Sequence, residues 1–340
     1  MKRPKLRMLA IPVLAGLALT ACTASPSPSG DPSSPAGSSS PGGGSGTEKP
    51  VIGISVKTIT NDPFQAAWVK AAQEKVEALG GEAQVLTAGG QTAIANQVSQ
   101  LNDLVAKQVD GIIVSPLDGS AVVPALKNAK EAGVPVIIVD QPIAAGNDDL
   151  YETLIATDNV EAGKQLASYL VSNIGKPNPK VAIIEGAPGS VAGDDRKKGF
   201  LEGLQAGGVT PVASASGEWS NDKALTAMEN ILTAHGDLDA VLSASDVMVD
   251  GILQALAGGG RTDVKVLAID GSKRGVQGVI DGELMADNTQ NPIRMGELAA
   301  ENLIGIAKGE VKSGSLPKYV DSGTQTVTSE NAQEALKTAF

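Results

Sequence analysis

The segment GVPVIIVDQP, residues 133–142, joins a fully apolar run to an abrupt polar end. The run VIIV is β-branched at every position, which is typical of a parallel strand buried on both faces. Asp140 and Gln141 follow it immediately. Because burying an unpartnered charge is costly, we expect this strand to end at a wet cleft that both side chains face.

From Pro50 onward, short apolar runs of this kind alternate with longer segments of helical period. Strands are predicted at 51–56, 83–86, 111–115, 134–139, 154–156, 181–185, 209–213, 240–243 and 264–269. Helices are predicted at 63–79, 91–107, 121–131, 159–173, 194–206, 221–234, 247–257 and 291–307. This alternation predicts an α/β fold of parallel sheets covered on both faces, and the number of strands favours two lobes over one wide sheet.

The first 21 residues have the pattern of an export signal peptide. A basic start, Lys2 to Arg7, precedes an apolar run at 9–19 that is too short to span a membrane as a mature helix. Removing the four basic residues of this segment would lower the formal net charge from −11 to −15. Such an acidic protein is a poor partner for nucleic acid, so we expect none.

Cys22 is the only cysteine and ends the stretch LTAC at residues 19–22. This stretch resembles the bacterial lipobox, and the resemblance implies cleavage before Cys22, lipidation of its thiol and anchoring to the cell membrane. Residues 23–49 are mostly Ser, Pro and Gly, which is typical of a flexible spacer with a reach of about 30 Å. Residues 22–49 are therefore expected to tether a globular part that has no disulfide.

Polar residues gather at the carboxyl ends of the predicted strands. They are Thr60, Asn61 and Asp62, then Ser115 and Asp118, Asp140 and Gln141, Glu185, Ser245 and Asp246, and Asp270. In parallel α/β sheets a ligand lies in the crevice outside these ends, and two facing crevices would make a cleft. We interpret Ser115 and Asp118 as helix N-caps, and Asp140 and Asp270, which no helix follows at once, as cleft residues.

Aromatic residues are few, and two of them lie in loops after strands. Trp219 lies between a strand and a helix, where a ring has little core to enter, so we expect it to face a ligand. Phe64 either faces the ligand or packs at a helix start, and Trp68 lies on the apolar face of its helix and is assigned to the core. Carboxylates, amides and flat rings together are typical of a site for a neutral polyol such as a sugar.

Six motifs resemble the ribose, galactose and allose type of periplasmic sugar-binding proteins of ABC importers. They are NDPF at 61–64, VIIVDQP at 136–142, TDNVEAGKQLASYL at 157–170, DRKKGF at 195–200, SASDVMVDGILQAL at 243–256 and VLAIDG at 266–271. The resemblance implies the type I periplasmic-binding-protein fold, with two doubly wound parallel-sheet lobes joined by three hinge crossings near Thr157, Gln290 and Val320. The lobes would then comprise residues 50–157 with 290–319, and 158–289 with 320–340.

The same resemblance implies which residues line the ligand cleft. They are Asp62, Phe64, Asp140, Gln141, Asp194, Arg196, Trp219, Ser245, Asp270 and Gln290. Relatives often carry Asn at the first of these positions and Arg at the positions of Gln141 and Asp194, so this pocket is expected to be more acidic. An amino sugar therefore remains an alternative to a neutral ligand, and Arg196 could instead pair with a neighbouring acid at its helix start.

The sequence thus predicts a lipid-anchored, monomeric receptor that closes around a monosaccharide or polyol and presents it to an ABC permease. It contains no P-loop, Gly-x-Ser-x-Gly elbow or metal-spaced His or Cys cluster, and we expect neither a cofactor nor a metal. The sole histidine, His235, is expected at the surface end of a helix. A sugar hydrolase using paired acids and a chemosensory sugar receptor are the alternatives, whereas a repressor core is disfavoured because an export signal occupies the place of a DNA-binding domain.

Overall fold

The computed structural model describes residues 49–60, 62–90 and 92–340. The predicted signal peptide, Cys22 and almost all of the spacer lie outside the described residues, as does Asn61. Residues 49–340 belong to one compact unit. In this described part, none of the helices combines the length and apolarity needed to cross a bilayer.

Twelve strands occur in the described residues. They are β1 (Val51–Val56), β2 (Glu82–Thr87), β3 (Gly111–Val114), β4 (Val136–Val139), β5 (Thr153–Ala156), β6 (Val181–Glu185), β7 (Ala213–Ser216), β8 (Ala240–Ser243), β9 (Lys265–Asp270), β10 (Ala286–Thr289), β11 (Tyr319–Asp321) and β12 (Thr326–Val327).

Ten α-helices accompany them in the same part of the chain. They are α1 (Pro63–Ala78), α2 (Ile94–Ala106), α3 (Val123–Glu131), α4 (Asn159–Asn173), α5 (Val191–Ala206), α6 (Asn221–Ala234), α7 (Val249–Gly258), α8 (Lys273–Ile280), α9 (Pro292–Ala307) and α10 (Ala332–Ala335).

The strands form two six-stranded sheets, in the orders β11-β5-β4-β3-β1-β2 and β12-β10-β9-β8-β6-β7. All neighbours pair in parallel except β10 and β12, which are antiparallel. The predicted fold class, two mainly parallel α/β lobes, is confirmed. We call the part built on the first sheet the first lobe and the part built on the second sheet the second lobe.

The chain passes between the two sheets three times. It leaves the first sheet after β5, returns through Gln290 between β10 and α9, and leaves again between β11 and β12. The predicted boundary at Val320 is too early, because Val320 pairs with Ile155 in the first sheet and β11 ends only at Asp321. The third crossing therefore comprises residues 322–325.

Burial explains why the strongest strand prediction succeeded. All four residues of β4 are buried, as expected for a strand covered on both faces, and Trp68 is fully buried in the core of the first lobe. His235 is the C-cap of α6 and is half-exposed.

The strand predicted at 209–213 is wrong in position. Val209 instead closes the end of α5 by donating its N–H to the carbonyl of Leu204, and β7 begins only at Ala213. The sequence of β7 is ASAS, which has no β-branched or aromatic residue and therefore gives a weak strand signal, so its position depends on pairing with β6. The short helix α8 and the polar strand β10, ADNT, were also not predicted from the sequence.

Candidate ligand-binding cleft

The carboxyl ends of strands from both sheets face one cavity between the lobes. Its empty volume, including the part that is open to solvent, is about 570 Å³. Its lining residues are Lys57, Asp62, Phe64, Gln65, Asp140, Gln141, Ser190, Ala192, Arg196, Trp219, Ser245, Val247, Asp270 and Gln290. A cavity of this size that combines polar groups with two rings is typical of a small-molecule site.

Nine of the ten residues predicted for the cleft line this cavity, and Asp194 does not. Asp194 is exposed in the first turn of α5. Ala192 and Arg196, four residues apart, share the helix face that borders the cavity, and a residue midway between them points elsewhere. The cavity wall therefore has one carboxylate fewer than the sequence predicted.

Asp140 is the centre of a polar network in the first lobe. It is buried, and its φ of 71° lies in the left-handed region, a strained conformation that clusters at functional sites. Its Oδ2 accepts hydrogen bonds from Ser115 Oγ at 3.2 Å and from Gln65 Nε2 at 3.1 Å. Lys57 Nζ lies 3.6 Å from the same oxygen, so the buried carboxylate has a buried cation beside it.

The Gln65 amide is oriented from the core. Trp68 Nε1 donates to Gln65 Oε1 at 2.8 Å, which turns the amide nitrogen toward Asp140. Two consecutive hydrogen bonds thus connect the Asp140 carboxylate, through Gln65, to the fully buried ring of Trp68.

The predicted N-cap roles of Ser115 and Asp118 are not observed. Helix α3 begins at Val123 and has no side-chain cap. Ser115 is buried and supports Asp140 instead, and Asp118 accepts hydrogen bonds from the N–H groups of Ser120 and Ala121, both at 2.8 Å. Ser115 therefore supports a cleft residue and Asp118 stabilises a turn, and α3 starts two residues later than expected.

Asp62 caps α1 at the edge of the cavity. Its Oδ1 accepts a hydrogen bond from Gln65 N at 3.1 Å. Burial raises the pKa of Asp62 above its ordinary value, and the hydrogen bond from Gln65 and the charge of Lys57 oppose that rise. Asp62 therefore keeps its proton to a higher pH than an exposed aspartate does.

Asp270 is the corresponding centre in the second lobe. Its Oδ1 accepts from Arg196 Nη1 at 3.0 Å and from Gln290 Nε2 at 2.6 Å. Its Oδ2 accepts from Ser245 Oγ at 2.5 Å and from the N–H of Asp246 at 3.0 Å. The carboxylate is therefore saturated by donors and paired with a guanidinium.

Arg196 is fixed by three elements at once. In addition to the hydrogen bond with Asp270, Arg196 Nε donates to Asn159 Oδ1 at 2.8 Å and Nη1 donates to the carbonyl of Ala244 at 2.6 Å. The alternative that Arg196 pairs with a neighbouring acid on its own helix is wrong, because its partner comes from the end of β9.

Trp219 forms one wall of the cavity. Its ring lies 5.7 Å from the guanidinium carbon of Arg196, within cation–π distance. A Cβ on Gly186 would lie 2.1 Å from the ring and one on Gly193 would lie 3.1 Å from it, so both glycines make room for the indole. Glu218 and Trp219 both have a φ of 53°, which bends the loop so that the ring reaches the cleft.

Lys57 and Gln65 are cleft residues that the sequence did not single out. Lys57 directly follows β1, so the rule that found Asp140 would also have found it. Gln65 lies inside the first turn of α1 and carried no such signal.

One acceptor in the cavity remains available. Gln290 Oε1 is buried and has no hydrogen-bond partner among the described residues. Since an unsatisfied buried acceptor is costly, this oxygen is suited to a ligand hydroxyl. The same part of the chain contains no group of three or more His, Cys, Asp or Glu side chains arranged to hold a metal ion.

Two α/β lobes with a polar cavity between their strand ends define a bilobed solute-binding protein. The sequence matches the family described as periplasmic binding protein domain over residues 52–311, and the chain belongs to that family. It is 33% identical over 293 residues to the ribose import binding protein RbsB of Bacillus subtilis, covering 86% of this chain and 90% of the relative. The D-allose-binding periplasmic protein of Escherichia coli is 29% identical over 264 residues, covering 75% of this chain and 84% of that protein.

Solved structures agree with this assignment. An ABC transporter solute-binding protein of Mycobacterium smegmatis with bound glycerol matches with a TM-score of 0.76 and 31% identity, covering 84% of this chain and 96% of that chain. A periplasmic solute-binding protein of Actinobacillus succinogenes with bound D-allose matches with a TM-score of 0.79 and 27% identity, covering 84% and 100%. The predicted resemblance to sugar-binding proteins of ABC importers is confirmed.

These relatives are solute-binding proteins, and this chain is a solute-binding protein rather than an enzyme. The hydrolase alternative is therefore wrong. The D-allose-binding relative of Escherichia coli and the solute-binding protein of Actinobacillus succinogenes are both periplasmic proteins.

Proposed function

We propose that the protein binds a neutral monosaccharide or related polyol in the cleft and delivers it to an ABC permease. The observation that carries this proposal is the charge balance of the cavity. Each lobe offers one buried carboxylate with a buried cation beside it, Asp140 with Lys57 and Asp270 with Arg196. A neutral ligand leaves both pairs intact.

The same balance disfavours an amino sugar. The acidity expected from the sequence is reduced because Lys57 lies in the cleft, Asp194 does not, and the pKa of Asp62 is raised. A cationic ligand would have to share carboxylates that are already neutralised, at the cost of its own desolvation. The hydroxyls of a polyol need only donors and acceptors, which Gln290 Oε1 and the side chains of Gln141 and Ser190 offer.

The names of the relatives support a small polyhydroxylated ligand. They include ribose import and D-allose-binding proteins, and the two structures cited above hold glycerol and D-allose. We expect the ring of Trp219, and that of Phe64 on the other lobe, to cover the C–H faces of the bound molecule.

We propose that the lobes close on the ligand by bending at the three crossings, near residues 157–158, 290–291 and 322–325. A ligand that touches both lobes only in the closed arrangement favours that arrangement by its extra contacts. Asp140 and Asp270 lie on opposite lobes, so one small molecule can engage both only when the cleft is closed.

The proposal includes attachment to the cell membrane through lipidated Cys22. The lipobox-like stretch at 19–22 and the Ser, Pro and Gly-rich spacer support it. The protein would then act as a monomer that reaches its permease at the end of this spacer. Replacing Cys22 by Ser should move the protein from the membrane fraction to the soluble fraction, or leave its signal uncleaved.

A ligand screen on residues 49–340 tests the binding proposal. The panel comprises neutral pentoses, hexoses and polyols, together with amino sugars and sugar acids. A ligand at about 100 times its Kd stabilises the folded state by about 2.7 kcal/mol, which a thermal-shift assay detects. We expect a neutral compound to give the largest shift.

Two cleft variants locate the site. Trp219→Ala and Asp140→Ala should each remove the ligand-induced shift, whereas His235→Ala, at the half-exposed end of α6, should keep it. Binding of the same ligand with unchanged affinity by both cleft variants would show that the cavity is not the ligand site.

A further inference from the structure

The segment that ends at Phe340 belongs to the second lobe except for its last ring. Ala335, Leu336 and Ala339 pack against the core of the second lobe. Phe340 instead packs against the core of the first lobe. Two consecutive residues thus contact different lobes, and the chain at this point bridges the cleft.

The backbone of Phe340 is fixed next to a ligand-binding loop. Its carbonyl accepts a hydrogen bond from the N–H of Lys273 at 2.9 Å, at the first residue of α8. Asp270, which lines the cavity, lies three residues before Lys273. The position of Phe340 is therefore tied to the loop that holds the central carboxylate of the second lobe.

The ring of Phe340 meets a cavity residue of the other lobe. Its centroid lies 6.0 Å from that of Phe64, and the two planes are inclined by 76°, an edge-to-face arrangement. Phe64 lines the cavity from the first turn of α1 and is 9% exposed. Such aromatic pairs prefer this geometry because ring faces are negative and ring edges are positive.

We propose that Phe340 is a positioning residue for ligand binding, which holds the Phe64 ring at the cavity wall from the opposite lobe. This inference rests on the proposed function, since it takes the cavity as the ligand site. Without the Phe340 ring, Phe64 gains rotational freedom, and the two lobes lose an apolar contact beside the cavity. Ligand binding must then order the ring, and the closed arrangement is released more easily.

The test compares three variants of residues 49–340. Phe340→Ala removes the ring, Phe340→Tyr restores an aromatic edge, and Leu336→Ala removes a side chain that packs only on the second lobe. The best neutral ligand of the screen is titrated by tryptophan fluorescence, its dissociation rate is measured by stopped-flow, and the melting temperature is recorded without ligand.

We expect Phe340→Ala to weaken binding by about 3- to 10-fold, mainly through faster dissociation. Phe340→Tyr should bind within about twofold of the parent protein, and Leu336→Ala should melt earlier yet keep its affinity. If Phe340→Ala does not fold, Phe340→Leu serves in its place, with a smaller loss of affinity expected in the same direction.

Two results would overturn the proposal. One is parental ligand affinity in Phe340→Ala together with loss of binding in Trp219→Ala. This result would support the cavity as the ligand site but exclude a role for Phe340 in binding. The other is an equal loss of affinity in Leu336→Ala and Phe340→Ala, which indicates general destabilisation. Unchanged binding by Trp219→Ala and Asp140→Ala would instead reject the proposed ligand site itself.

Discussion

Arg196 Nη1 lies 3.0 Å from Asp270 Oδ1, and both side chains are more than nine-tenths buried. The two residues are 74 positions apart and come from α5 and the end of β9. Their pairing joins two ligand-lining segments of the second lobe into one rigid wall. A buried pair of this kind contributes little net stability by itself, yet removing one partner leaves a charge without compensation.

Asp270→Ala should therefore destabilise the protein as well as abolish ligand binding. We expect the free energy of unfolding to fall by about 3–5 kcal/mol, because the buried guanidinium of Arg196 loses its counter-charge. Urea unfolding followed by fluorescence measures this loss.

Asp194→Ala is the matched control, since Asp194 is an exposed aspartate on the same helix as Arg196. It should change stability by less than about 0.5 kcal/mol and keep full ligand affinity. Equal losses of stability in Asp270→Ala and Asp194→Ala would show that loss of the Arg196–Asp270 pair is not the cause.

Lys57→Met should change which ligands bind. The substitution leaves the buried carboxylate of Asp140 with neutral donors only, Ser115 and Gln65, and removes one of the two positive charges that line the cavity. We expect the affinity for a neutral sugar to fall by about 10-fold or more, and the relative affinity for its amino derivative to rise.

Parallel titrations with a neutral sugar and the matching amino sugar measure this shift in preference. Lys75→Met is the control, since Lys75 pairs with Glu301 on the outer surface of α1 and α9. A Lys57→Met protein with the parental ratio of affinities would show that Lys57 does not set the charge of the site.

Gly186→Ala should displace the Trp219 ring. The added methyl would lie 2.1 Å from the ring, a distance that the backbone of Gly186 cannot relieve without moving the indole. We expect about 10-fold weaker ligand binding and greater quenching of tryptophan fluorescence by acrylamide.

Gly236→Ala is the comparison for this substitution. A methyl group there would have a single neighbour, at 3.8 Å, and the site lies at the end of α6 beside His235. The ligand affinity of Gly236→Ala and the quenching of its fluorescence should match those of the parent protein. If Gly236→Ala lost as much affinity as Gly186→Ala, displacement of the Trp219 ring would not explain the loss.

The sequence could predict residues whose role follows from their position in one strand or loop. Asp140 and Asp270 were found because each follows a run of four apolar residues, VIIV and VLAI. Trp219 was found because it lies in a loop, where a large ring has little core to enter. The sequence could not show that Asp194 lies outside the cavity wall, because helix phase, which depends on where α5 begins, decides which face reaches the cleft.

Other features depend on contacts between distant segments and left no local pattern. Gln65 supports Asp140 across 75 residues, and Phe340 reaches Phe64 from the far end of the chain. The position of β7 was missed because this edge strand consists of small residues, Ala and Ser, and only its pairing with β6 specifies it. Such pairings are visible only after the lobes are assembled.

A pair of buried acids behind the second ligand loop predicts how stability depends on pH. Asp246 Oδ2 accepts from Ser272 N at 2.9 Å and from Ser272 Oγ at 2.7 Å. A Cβ on Gly275 would lie 2.2 Å from this oxygen and 2.4 Å from Asp287 Oδ2, so the two carboxyls are close together. Burial, and then the charge of Asp270, raise the pKa of Asp246 to about 7. Burial, and then Asp246, raise the pKa of Asp287 well above its ordinary value.

The folded protein therefore holds protons between about pH 4 and pH 7 that the unfolded chain has released. A state that binds more protons loses stability as the pH rises, so the free energy of unfolding should fall through this window, by roughly 1–4 kcal/mol.

Asp287→Asn removes one of the two coupled acids and should flatten the fall and raise stability at pH 8, while Glu202→Gln, an exposed acid on α5, should leave the slope unchanged. Urea unfolding at pH 5, 6, 7 and 8 measures the slope, and a parent protein whose stability rises across this range would show that the pair is ionised in the folded state.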